Sequence, residues 1–184
     1  MSQASVAGQV GPRVILIGPP GSGKSSIGRS LGTRLETPFH DTDAIIEERA
    51  KMSVSEIFLI EGEPFFRALE SEVVTDELKT FAGVLSLGGG SVMDATTRDE
   101  LEKCSSPIVF LDVSLSSAAP RVGFNRDRPL LVGNPRSKWQ ELMNIRRPIY
   151  EKLATFTIST DEGSPSQISQ KISRRLFELE EVSL

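Results

Sequence analysis

The stretch that most constrains this chain is Gly18-Pro19-Pro20-Gly21-Ser22-Gly23-Lys24-Ser25, which fits the pattern G-x-x-x-x-G-K-[ST]. It lies between a β-branched apolar run, Val14-Ile15-Leu16-Ile17, and a segment in which Ile27, Leu31 and Leu35 recur at helical spacing. Strand, glycine loop and helix in that order wrap backbone amides around a phosphate, because glycines let successive N–H groups turn inward and the helix N-terminus adds its positive dipole end. Lys24 then reaches the β- and γ-phosphates of ATP, and the Ser25 hydroxyl is placed to ligate Mg²⁺. Gly21, Ser22, Gly23, Lys24, Ser25 and Ser26 are the candidate nucleotide contacts.

Further along, apolar runs keep alternating with helical patterns. Pro38-Phe39-His40 precedes a helical stretch from Asp43 to Lys51, and Ser53-Val54-Ser55-Glu56 reads as a capping box opening a short helix that Gly62 ends. Phe65 to Thr80 is helical, Gly83 to Leu87 is a second buried strand, and Pro107 to Leu111 is a third, reached through a helix capped by Asp94 or Thr96. Phe156-Thr157-Ile158 gives a last strand, and Ser164-Pro165-Ser166-Gln167 supplies cap, first-turn proline and capping-box glutamine for the C-terminal helix. Strands separated by helices favour a parallel sheet covered on both faces, with ligands bound beyond the C-terminal strand ends.

The length of 184 residues fits one domain, with residues 1–12 as a small, polar tail and no basic-then-apolar leader. No apolar run is long enough to span a bilayer. A single cysteine, Cys104, cannot form an internal disulfide and reads as a helix-end residue, which fits a reducing cytoplasm. The net charge of −4 argues against a nucleic-acid binder. Yet Arg121, Arg126, Arg128, Arg136, Lys138, Arg146 and Arg147 form a basic region that suggests an anionic ligand.

The loop alone leaves three outcomes: hydrolysis of nucleotide in a switch or motor, phosphorylation of a nucleotide, or phosphorylation of another small acceptor. No N-K-x-D base-reading motif is present. Ile108-Val109-Phe110-Leu111-Asp112 matches the strand-then-aspartate pattern of a motor ATPase, but any buried strand that leaves the sheet beside a polar residue produces it. Asp41 and Asp43 are the stronger carboxylates: both emerge at the functional edge, one able to serve Mg²⁺ and the other a substrate hydroxyl, with helix capping as the alternative. Arg67 could pair with Glu63 or Glu70 on a helix surface, or join Arg146 on a substrate carboxylate. His40 reads as a strand-end residue and Trp139 as packing for a late helix. Gly88-Gly89-Gly90 is a second glycine cluster, at a strand tip, in a chain whose residues 18–25 already supply a phosphate loop.

Taken together, G-x-x-G-S-G-K-S at 18–25, D-T-D at 41–43, G-E-x-x-F-R at 62–67, G-G-G at 88–90, R-P-L-L at 128–131 and R-x-P-x-Y at 146–150 resemble the bacterial shikimate kinase family, in order and at similar spacing. The resemblance covers nearly the whole chain after residue 13. It implies an α/β P-loop NTPase of the nucleoside monophosphate kinase-like kind, three layers with a five-stranded parallel sheet in the order 2-3-1-4-5, residues 13–184 forming one domain with a lid at about 121–136. It also implies ATP-dependent phosphorylation of the 3-hydroxyl of shikimate on the route to chorismate, by a cytoplasmic monomer with MgATP and shikimate as its partners.

Carried over by motif, Asp43 holds the ring hydroxyls nearest the reacting one, Arg67 and Arg146 bind the carboxylate, Phe58 and Phe66 wall the pocket, and Glu70 orients Arg67. Gly88, Gly89, Gly90 and Leu130 join the acceptor side. Ser25 and Asp41 serve Mg²⁺, Arg128 is the lid arginine acting with Lys24 on the transferring phosphate, and Arg121 with the Pro165 loop clamps adenine. The sequence departs from the family in Ser26, where threonine is common, and in the apolar Val122 and Phe124 at the lid entrance. A kinase of another polyol acid such as gluconate, or a non-catalytic nucleotide-binding regulator, would share the first loop without needing the acceptor-side motifs.

Overall fold

A computed structural model describes residues 11–122 and 134–182. Its frame is a parallel sheet of β1 (Val14–Ile17), β2 (Phe39–Asp41), β3 (Val84–Ser86), β4 (Ile108–Asp112) and β5 (Phe156–Ser159), ordered β2-β3-β1-β4-β5 as expected. The central strands point alternate side chains into two apolar layers. Ile15, Ile17, Ile108 and Phe110 face one layer, and Val14, Leu16, Val109 and Leu111 face the other. With both faces covered, these strands read as unbroken apolar runs in the sequence.

The helices α1 (Lys24–Arg34) and α8 (Pro165–Val182) close one face through Ile27, Leu31, Ile168 and Ile172. The other face is closed by α4 (Glu63–Thr80), α5 (Ala95–Lys103), α6 (Leu115–Val122) and α7 (Pro135–Leu153). A smaller cluster of Ile46, Ile57, Phe66 and Val73 joins α4 to α2 (Thr42–Ala50) and α3 (Val54–Ile60).

Local signals explain the boundaries. The Ser53–Glu56 capping box opens α3, and the Ser164 amide and hydroxyl exchange hydrogen bonds with Gln167 at the start of α8. Asp94, not Thr96, caps α5 by accepting from the Thr97 amide at 2.8 Å. Gly62 has φ 87°, a left-handed value that suits glycine, and the next helix begins directly after it at Glu63. That start is two residues earlier than the apolar pattern implies, because Pro64 fits the first turn of a helix without costing a hydrogen bond.

Because every strand runs the same way, the loops after Ile17, Asp41, Ser86 and Asp112 gather along one edge. Register brings Ser86 level with both Leu16 and Asp41. Among the described residues no helix is long and apolar enough to cross a membrane.

Candidate active site

That edge opens into a cavity of about 470 Å³ whose floor is residues 20–27 of the glycine loop and α1. Gly21 and Gly23 sit at φ 85° and 84°, the left-handed values needed to turn successive amides toward one point. Ser22 is fully buried there, and its hydroxyl has no hydrogen-bond partner among the described residues. Lys24 donates through Nζ to the carbonyls of Gly18 at 2.8 Å and Pro19 at 3.2 Å. Ser26 lines the same cavity.

Asp41 caps α2, as one reading of its carboxylate has it, and its second oxygen meets Ser25. Its Oδ1 accepts from the Asp43 amide and so caps α2, while its Oδ2 accepts from the Ser25 hydroxyl at 2.6 Å. Ser25 and Asp41 thus face each other across the cavity wall as two hard oxygen donors, the chemistry that suits Mg²⁺. Asp43, the second residue of α2, lines the same cavity.

At the far side the cavity meets the adenine-clamp candidates. Arg121 donates to the carbonyls of Thr160 at 2.8 Å and Gly21 at 3.3 Å, and Pro165 lines the same cavity.

The acceptor-side candidates converge on the glycine triplet. A Cβ built on Gly88 would lie 2.6 Å from Glu70 Oε1 and 2.7 Å from Asp43 Oδ1, and one on Gly90 would lie 2.6 Å from an Arg67 nitrogen. One on Gly89 would instead meet Pro20 at 3.2 Å and the Gly18 carbonyl at 3.3 Å. None of the three has a left-handed φ, so it is space and not conformation that demands glycine here.

Arg67 donates to Glu70 Oε2 at 2.6 Å and, more weakly, to Glu63 at 3.3 Å, so its helix-surface partners and its place at the triplet coexist. Burial alone would lower the pKa of Arg67, but the carboxylates of Glu70 and Glu63 hold it above the ordinary value. The Phe66 ring lies under that guanidinium and tilts against Phe58 at 4.7 Å between centroids. Arg146, 7% exposed, donates to the Gly89 carbonyl at 3.0 Å, so both arginines reach adjacent residues of the triplet. Arg128 and Leu130 lie outside the described residues.

A sequence model of shikimate kinase matches residues 20–177. The chain belongs to the shikimate kinase family. Shikimate kinases of Rhodococcus jostii (44% identical over 91% of this chain and 99% of theirs) and Thermobifida fusca (46% over 90% and 95%) are similar along their lengths. The solved shikimate kinase of Acinetobacter baumannii, in complex with shikimate, superposes with a TM-score of 0.85 at 33% identity, covering 92% of this chain and 94% of that one.

Within this shikimate kinase frame several residues contribute to which the sequence assigned no role of their own. Thr42 Oγ1 accepts from the Gly88 amide at 3.0 Å, and the buried Ser91 hydroxyl donates to Glu70 Oε1 at 2.7 Å. Tyr150 donates its hydroxyl to the same Gly89 carbonyl as Arg146. Burial pushes the Tyr150 phenol up to about 12. Ser86 lines the cavity at the tip of β3, and a polar residue inside Val84-Leu85-Ser86-Leu87 was the available signal for it.

Trp139, fully within the core on α7, donates its indole N–H to the Pro20 carbonyl at 3.0 Å. His40 is held away from the cavity, 2.7 Å from Glu77 and stacked on Phe81. Asp112 gives both carboxylate oxygens to Arg147, and those hydrogen bonds hold the guanidinium above its usual pKa.

Proposed function

We propose that the protein transfers the γ-phosphoryl group of ATP to the 3-hydroxyl of shikimate, giving shikimate 3-phosphate and ADP. The observation that carries this reading is the meeting of Arg67, Arg146 and Asp43 at a glycine triplet that shares a cavity edge with the phosphate loop. A carboxylate on the acceptor matches two convergent guanidinium groups, which bind it by paired, charge-assisted hydrogen bonds. A pocket for a neutral polyol would have no use for them.

In this scheme Gly21 to Ser26 fix the donor phosphates through backbone amides, and Lys24 leaves its carbonyl partners to neutralise charge on the transferring group. Arg121 and Pro165 hold the base. Asp43 orients the acceptor hydroxyl and takes its proton as the oxygen bonds to the γ-phosphorus and the bond to the β-phosphate oxygen breaks. Phe58 and Phe66 shape the ring pocket, Glu70 keeps Arg67 aimed, and Gly88 to Gly90 leave room where the two substrates meet.

A bound Mg²⁺ would supply positive charge to offset the negative charge of the phosphates. Ser25 and Asp41 would hold it, directly or through water. The role of Arg128 on the transferring phosphate, and of Leu130 beside the acceptor, rests on the sequence resemblance. We take residues 13–184 as a single catalytic domain that works as a monomer in the cytoplasm.

A coupled assay of ADP release with shikimate, gluconate, the nucleoside monophosphates or no acceptor tests the proposal. Turnover confined to shikimate is expected. Equal turnover with gluconate, or none above the acceptor-free rate, would overturn it.

A further inference from the structure

Arg147, the neighbour of Arg146 on α7, has no part in that scheme, yet it makes a two-bond ion pair at the sheet edge. Its Nη1 lies 2.9 Å from Asp112 Oδ2 and its Nη2 2.7 Å from Asp112 Oδ1, a parallel two-bond fork at the last residue of β4. Oδ1 also accepts from the Val113 amide at 2.8 Å, which fixes the carboxylate in turn. The guanidinium stands over the Phe110 ring, 5.8 Å from its centroid.

The side chains remain 39% and 27% exposed, so their attraction is screened and adds little to stability. What a fork fixes is direction. Direction matters here because the next residue is Pro148, inside α7. A proline in mid-helix removes one backbone hydrogen bond and loosens the turn before it, which is the turn that carries Arg146.

The same aspartate also reaches the nucleotide side. Its carbonyl accepts from the Thr160 amide at 2.8 Å and the Thr160 hydroxyl at 3.0 Å, and the Thr160 carbonyl receives Arg121. Arg121 touches the Gly21 carbonyl of the phosphate loop.

We propose that Asp112 and Arg147 form a positioning clasp that fixes α7 at its proline turn, so that Arg146 is held on the glycine triplet, and ties that turn to the strand end that seats the nucleotide clamp. The clasp rests on the reading of Arg146 as a ligand of the acceptor carboxylate. Neither Asp112 nor Arg147 touches a substrate in it.

Asp112→Asn keeps the shape and the backbone contacts but loses the ion pair. It should raise the shikimate KM by about 3- to 10-fold while the ATP KM moves less than about twofold, the split expected when acceptor positioning alone is lost. Arg147→Lys, which keeps the charge without the fork, should behave alike, and the double variant should be no worse than either single one.

A shikimate KM within twofold of wild type, an equal rise for both substrates, or additive effects would overturn the clasp. Hydrogen exchange of the substrate-free protein over residues 144–150 gives a readout apart from turnover. Faster exchange in Asp112→Asn supports the clasp, and unchanged exchange refutes it even if activity is altered.

Wild-type protein and Arg146→Ala run beside these variants. If wild type ignores shikimate, or Arg146→Ala leaves its KM unchanged, the acceptor reading fails; hydrogen exchange then still judges whether the clasp holds α7.

Discussion

Around the donor phosphates, one unbroken segment, residues 21–26, lines the cavity; around the acceptor, Asp43, Arg67, the glycine triplet and Arg146 arrive from four separate parts of the chain. A loop whose amides bind phosphate carries its geometry in its own φ and ψ angles. A cleft assembled from distant side chains borrows its geometry from whatever packs behind them. Donor binding should therefore fail through the loop itself, whereas acceptor binding should also fail through residues that never touch the acceptor, such as Ser91 and Tyr150.

The sharpest donor-side break is Lys24→Met. Loss of a charge placed on the transferring group should cut kcat by about 10²- to 10³-fold in the ADP-release assay. A kcat within tenfold of wild type would remove Lys24 from the chemistry.

Next in size is a contrast within the triplet. Gly90→Ala puts a methyl into the Arg67 guanidinium and should raise the shikimate KM about tenfold with little change for ATP. Gly89→Ala presses on Pro20 and the Gly18 carbonyl instead, so it should disturb both KM values. If the two substitutions act alike, the triplet does not divide the donor from the acceptor side.

Ser91→Ala is milder and lies one layer further back. It leaves Glu70 Oε1 without its hydroxyl donor in a site where Glu70 is only 2% exposed, at a cost of about 1–3 kcal/mol in unfolding free energy. The shikimate KM should rise by about threefold with the ATP KM steady. A stability loss with both KM values unchanged would make Ser91 purely structural.

The smallest effect appears only in alkali. Tyr150 keeps its proton in the folded chain up to about 12, against an ordinary value near 10. Its neutral form therefore supports folding fully below about pH 10, and that support fades as pH climbs toward 12, by about 2–3 kcal/mol in all. Tyr150→Phe should lose about 1 kcal/mol at pH 8 yet show a shallower further decline by pH 11 than wild type in urea unfolding. Parallel declines would show that folding does not raise the Tyr150 pKa.

The same contrast explains what could be read in advance. The phosphate loop, the strand order and the two capping boxes are local patterns or follow from the resemblance, and they reappear in the fold. Asp41 and Arg67 each carried a structural and a functional reading, and the fold shows the structural one: one Asp41 oxygen caps while the other meets Ser25, and Arg67 pairs with Glu70 beside the triplet. Ser91 with Glu70, Thr42 with Gly88, and Asp112 with Arg147 are separated by 21, 46 and 35 positions and carry no signature in spacing. For Asp112 the strand-then-aspartate pattern was ambiguous by nature, because it records only where a buried strand ends.

Trp139 is the only tryptophan in the chain, and its indole N–H is bonded to the carbonyl of Pro20, inside the phosphate loop. Emission from the unlabelled protein is therefore a direct optical gauge of that peptide group. A nucleotide that reshapes the loop must alter the colour or brightness of one buried fluorophore, with no other indole to dilute the signal.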